Sequence, residues 1–153
     1  MKRFFILLTT VLLMVLMHPI SAFAAMETQG TENIIYLDNG GYITVELSVT
    51  EYRASGTKSA SKTYTYRGSD GVEEWRAVLR GTFSYTGSSA TCTAASCDVT
   101  ITDTDWYIVS KTATRSGASA LGELTMGRKF LGITVDREPV SMRITCDING
   151  NLS

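Results

Sequence analysis

Residues 42–50 read YITVELSVT. Ile43, Val45, Leu47 and Val49 fall on one side of an extended chain, and Thr44, Glu46, Ser48 and Thr50 on the other. Successive side chains of a strand point to opposite faces, so the stretch is predicted as a half-buried strand. The same period of two runs through EWRAVLRGTFSY (74–85), where Trp75, Ala77, Leu79, Gly81, Phe83 and Tyr85 oppose Arg76, Arg80, Thr82 and Ser84. It returns in VSMRITCDI (140–148), with Val140, Met142, Ile144, Cys146 and Ile148 opposing Ser141, Arg143, Thr145 and Asp147.

Weaker strands fit residues 33–38, 61–68, 97–103, 105–115, 120–127 and 128–136. Turn formers separate several of them: Asp38-Asn39-Gly40-Gly41, Gly68-Ser69-Asp70-Gly71, Thr86-Gly87-Ser88-Ser89 and Ser116-Gly117. No long window shows a 3.6-residue period, although a short helical turn is conceivable at residues 71–75. Pro139 opens the last strand, where a missing N–H costs least. About seven to nine short strands without a βαβ rhythm predict an all-β, antiparallel β-sandwich, with a small β-barrel as the alternative.

The first 24 residues stand apart. Lys2 and Arg3 precede a long apolar run that ends in Ala22-Phe23-Ala24, the pattern of a cleaved secretory signal peptide. His18 and Pro19 cut the run short of the roughly 20 apolar residues of a membrane anchor. The expectation is a signal peptide over residues 1–24 and one secreted, extracellular domain over residues 25–153, with no membrane span after cleavage. Without Lys2 and Arg3, 12 of the 14 basic residues remain against 15 acidic ones. No basic block survives, which argues against nucleic acid as a partner.

Histidine sets the chemistry. The single histidine, His18, lies in the leader, so the remaining chain lacks the base of Ser-His and Cys-His nucleophile systems and the imidazole of histidine-ligated zinc sites. No phosphate-binding glycine loop is present, and no cofactor or metal is expected. Glu73-Glu74 and Asp103-x-Asp105 are the paired carboxylates that a hydrolase would need. Adjacent residues on a strand face apart, and TDTDW reads equally well as a turn. DINGN (147–151) has the look of a calcium loop but lacks the distal bidentate glutamate, so a polar turn is the simpler reading.

The aromatics offer a binding surface instead. In SKTYTYR (61–67), Lys62, Tyr64 and Tyr66 share one face, and tyrosines lined along a strand can form a platform for a sugar ring or a partner's side chain. Of Trp106 and Tyr107, which point apart, Trp106 is the better core candidate.

The cysteines complete the inventory. In an oxidising compartment paired cysteines are expected. Cys92 and Cys97 flank four small residues, and a hairpin there would set them opposite each other, with a modest gain of about 2 kcal/mol. The alternative is Cys97–Cys146, both on apolar faces of their strands. With the first pairing, Cys146 is left as a buried, inert thiol.

TCTAASCDVTITDTDWYIVSKTATRSG (91–117), LTMGRKFLGITV (124–135) and ITCDINGNLS (144–153) resemble a group of small secreted β-domain proteins of Gram-positive bacteria. The similarity covers about residues 55–153. It implies a secreted β domain and brings no catalytic residue with it. The expected function is a non-catalytic extracellular binding module with a glycan or protein ligand. The alternatives are a carboxylate-based hydrolase acting on cell-wall or host glycan, and a structural component of the cell envelope.

Overall fold

The structure is a computed structural model that describes residues 27–29, 33–52 and 56–153. The leader assigned to residues 1–24 lies outside the described residues. Among the described residues nine strands follow one another: β1 (Glu27–Gln29), β2 (Asn33–Tyr36), β3 (Tyr42–Tyr52), β4 (Thr57–Arg67), β5 (Glu73–Tyr85), β6 (Ala90–Ile101), β7 (Trp106–Ser116), β8 (Ser119–Phe130) and β9 (Ile133–Thr145). No helix occurs among the described residues, so the short helical turn at 71–75 is not formed; β5 begins at Glu73.

Every paired strand runs antiparallel to its neighbour. One sheet has the order β1-β3-β4-β5-β6, with β2 also on β3, and the other the order β7-β8-β9. β1 pairs with Ser48–Thr50 and β2 with Tyr42–Val45, so the two lie end to end along one edge of β3. The sheets are open at their edges, and the fold is a β-sandwich rather than a closed barrel.

The alternation read from the sequence locates the core. On β5, Trp75, Ala77, Leu79, Gly81 and Phe83 are buried and face Ala120, Leu124 and Met126 of β8 and Val140, Met142 and Ile144 of β9. Each large apolar side chain so buried stabilises the fold by about 1.5–3 kcal/mol. The sheets approach closely at Gly81, where a Cβ would come within 2.6 Å of the Phe83 ring and 3.0 Å of the Ala120 Cβ. Pro139 lies within β9, opposite Thr125, on an outer strand whose other side has no ladder to donate to.

Two stretches differ from the sequence reading. β6 is one continuous strand where a hairpin between Cys92 and Cys97 was expected. Residues 120–136, read as two strands parted at Gly127, run straight through Gly127 as β8 and turn back only at Leu131-Gly132. No conventional turn former marks that turn apart from Gly132.

Candidate binding site at the tip of the β8–β9 hairpin

The turns at residues 37–41, 68–72 and 102–105 gather at one end of the sandwich, around the outer half of the β8–β9 hairpin. Beneath them lies an aromatic cluster. Tyr66 stacks on Trp75 with ring centroids 5.3 Å apart and planes 5° apart, and meets the edge of Trp106 at 5.0 Å. The Trp106 Nε1–H donates to Glu74 Oε2 at 2.6 Å, and the Arg128 guanidinium lies 5.8 Å from the Trp106 ring centre. Asn39 Nδ2 donates to the Tyr66 hydroxyl and to Asp136 Oδ2, both at 3.3 Å, so the β2–β3 turn is tied to β9. Asp105, Arg128, Lys129, Phe130, Val135 and Asp136 line an open depression of about 470 Å3 at the base of the hairpin.

The hairpin outreaches its sheet. β7 starts opposite Arg128, and beyond it the last support from that side is the Lys129 N–H, which donates to the Asp105 carbonyl at 2.9 Å. Phe130 pairs with Ile133 across a two-residue turn. Lys129 pairs with Thr134 and Arg128 with Asp136, so Val135 is the bulge residue. The end carries bare apolar side chains: Leu131 is 87% exposed, Ile133 70%, Phe130 65% and Val135 58%.

The turn itself is costly. Leu131 has φ 51° and Gly132 φ 81°, the two positive values of a type I′ hairpin turn. That turn favours Asn-Gly or Asp-Gly, and an ordinary L-residue in the left-handed region loses about 1–2 kcal/mol. Leu131 is the only non-glycine residue with positive φ among the described residues. Its side chain gains nothing back from packing. A strained, solvent-facing leucine has a physical rationale if the side chain contacts something outside the molecule. A second exposed apolar stretch, Ile34-Ile35-Tyr36 on the edge strand β2, carries no such strain.

The site read from the sequence is corrected. Lys62, Tyr64 and Tyr66 do share a face, but it is the face covered by the second sheet. Tyr64 is 6% exposed and Tyr66 2%, so their rings are closed to a ligand. Burial pushes both hydroxyls above the ordinary tyrosine pKa; for Tyr66 the nearby Glu74 charge adds to this. Lys62 Nζ donates to the Arg143 carbonyl at 3.2 Å, and the Arg143 backbone also hydrogen-bonds Tyr64. This trio ties β4 to β9.

The disulfide expectation is corrected as well, since Cys92, Cys97 and Cys146 are all free and buried. Cys92 and Cys97 lie on the same extended strand, which separates them by roughly 16 Å at the usual rise per residue, against a reach of about 7 Å for a disulfide. A bulge at Thr93 (Thr82 pairs with Ala94 and Phe83 with Cys92) turns both side chains inward despite their odd spacing. Burial pushes all three thiols to higher pKa.

Three of the four carboxylates weighed for hydrolysis have other partners. Glu73 Oε2 pairs with Arg76 at 2.8 Å and Arg67 at 3.9 Å, while Glu74 holds Trp106. Asp103 Oδ1 accepts the Asp105 N–H at 3.0 Å and so closes its own turn. Asp147 accepts backbone N–H bonds from Asn149 and Asn151 at 2.8 Å and the Asn151 side-chain amide at 2.7 Å, which makes DINGN a polar turn. Among the described residues no group of three or more metal-binding side chains converges, and no helix is long and apolar enough to cross a membrane.

Sequence reasoning passed over Phe130, Leu131, Ile133 and Val135 because KFLGITV looks like the middle of one strand. The signal available was a mostly apolar run, Phe130 to Val135, interrupted by Gly132 and Thr134. No family model matches the chain, and neither the curated proteins nor the solved structures contain a match to it.

Proposed function

We propose that the protein is a secreted, non-catalytic extracellular binding module whose contact surface is the tip of the β8–β9 hairpin. One observation carries the reading: Leu131 holds an unfavourable backbone conformation to present an 87% exposed apolar side chain. Phe130, Ile133 and Val135 extend the same surface. Covering such side chains yields about 1.5–3 kcal/mol each before the costs of association, enough for a specific if modest interaction. The engagement of Glu73, Glu74 and Asp103 in internal contacts favours binding over hydrolysis.

The test uses the mature protein, residues 25–153, and the variant Leu131→Asn, which suits the turn and removes the apolar contact. Both are applied to a glycan array and to cell-envelope fractions. Wild-type retention that falls at least about tenfold in the variant supports the reading, because one lost apolar contact is worth about that factor. Equal retention of the two proteins, or none of either, refutes it.

A further inference from the structure

Resting on that reading, we infer that the β8–β9 tip inserts into the interface of a lipid bilayer carrying anionic headgroups. The surface is convex and narrow. Beyond Lys129 it is a two-stranded ribbon ending in Leu131-Gly132, with Phe130 and Ile133 one level behind. A protein partner would need a matching pocket for such a tip, and a sugar a flat open ring face. An acyl layer closes around any apolar shape.

The layering fits the interface. Two levels of ribbon make an apolar end about 5–7 Å deep at the usual strand rise, within the roughly 5–10 Å to which interfacial segments sink. The next level holds Lys129 and Thr134, so the first charge behind the apolar end is a cation. The Lys129 ammonium sits 4.6 Å from the Tyr107 ring centre, and the Tyr107 hydroxyl bonds Thr134 Oγ1 at 2.7 Å. A tyrosine and a lysine at that height match the headgroup zone, where amphipathic rings settle and lysine stems keep their charge in water. One level deeper there is no excess of cations, because Asp136 offsets Arg128 across the ladder and Asp105 adds a negative charge to the same depression. The cation closest to the lipid is therefore Lys129, and the preference for anionic headgroups runs through it.

The experiment is flotation of the mature protein with phosphatidylcholine vesicles, with and without phosphatidylglycerol. Wild type, Leu131→Asn, Ile133→Thr and Lys129→Glu are compared, with thermal melts to confirm folding. A fifth variant, Leu131→Trp, reports insertion by a blue shift of its emission and quenching by acyl-chain spin labels. The expected result is binding to the anionic vesicles that drops about tenfold or more in Leu131→Asn and Ile133→Thr. Lys129→Glu loses about tenfold on anionic vesicles, and little on neutral ones. No wild-type binding to either vesicle, or a Leu131→Trp emission that does not move, overturns the lipid assignment. Binding indifferent to Lys129→Glu overturns the anionic preference. If vesicles fail while a proteinaceous envelope fraction retains wild type but not Leu131→Asn, the lipid partner is wrong and the binding module stands. If that fraction also treats both proteins alike, the binding reading fails with it.

Discussion

The indole N–H of Trp106 donates to the carboxylate of Glu74 at 2.6 Å, joining the first residue of β7 to the start of β5 across the sandwich. The backbone carbonyl of Glu74 also accepts the N–H groups of Thr102 and Asp103, both at 2.9 Å. Glu74 thus anchors the chain where it passes from one sheet to the other. Glu74→Ala is expected to destabilise the protein by about 1–3 kcal/mol, since it strands a buried donor. Glu74→Gln keeps an acceptor oxygen and should cost less. Urea unfolding of the two variants distinguishes a lost hydrogen bond from a lost charge; equal costs would show that the hydrogen bond is not what matters.

At Gly81 β5 packs closely on β8, and a methyl group there meets the Phe83 ring and Ala120. Both neighbours are fully buried, so neither has room to retreat. Gly81→Ala is expected to cost about 1–3 kcal/mol through overpacking. An unchanged urea midpoint would show that the sheets can part at no cost.

Leu131→Asn should raise stability even as it removes the contact surface. Asparagine tolerates the left-handed region that leucine enters only at a cost, and the expected gain is about 0.5–1 kcal/mol, or a few degrees in Tm. A melt showing no gain, or a loss, would mean that Leu131 packs in solution and is not strained for presentation.

Glu138 titrates against the fold. Burial pushes its pKa above the ordinary carboxylate value, and the negative charges of Asp136 and Asp38 push it further in the same direction. The native state therefore keeps the proton to higher pH than the unfolded chain does. Stability falls as pH rises from the ordinary carboxylate range through the raised value. Glu138→Gln should flatten this fall and stabilise the protein slightly at neutral pH, with no benefit under acid conditions. Chemical denaturation across that pH range reads the difference.

The thiols should be silent in the native protein. All three are buried, and burial disfavours the reactive thiolate. Iodoacetamide should label none of them before unfolding and all three in denaturant, as read by intact mass. Cys92 N–H donates to the Gly117 carbonyl and Cys146 N–H to that of Ala118, the next residue, which brings the two cysteines to the same end of the sandwich. Any bridge formed under oxidised glutathione is therefore expected to join Cys92 to Cys146. A peptide linking Cys97 to either would contradict the structure.

Some of this was legible before any coordinates. The period-two alternation in residues 42–50, 74–85 and 140–148 follows from strand geometry alone, and it named Trp75, Leu79, Phe83, Met142 and Ile144 as one-sided before their burial was known. Alternation also grouped Lys62, Tyr64 and Tyr66 correctly. It could not say that theirs was the face to be covered, because burial depends on where a second sheet lands.

Local pattern failed where the backbone departs from ideal pairing. The bulge at Thr93 reverses the inside–outside order of β6, and no residue near it announces the change. The Leu131-Gly132 turn escaped notice because turn prediction relies on residues that suit the turn, and leucine does not. The amino-acid sequence by itself determined an all-β chain and the side chains that must move together from water to core, since both follow from the two-residue period of an extended backbone. Only the tertiary structure decided which face is closed, which cysteines are neighbours and which apolar residues are left in solvent, because those depend on contacts between segments far apart in the chain.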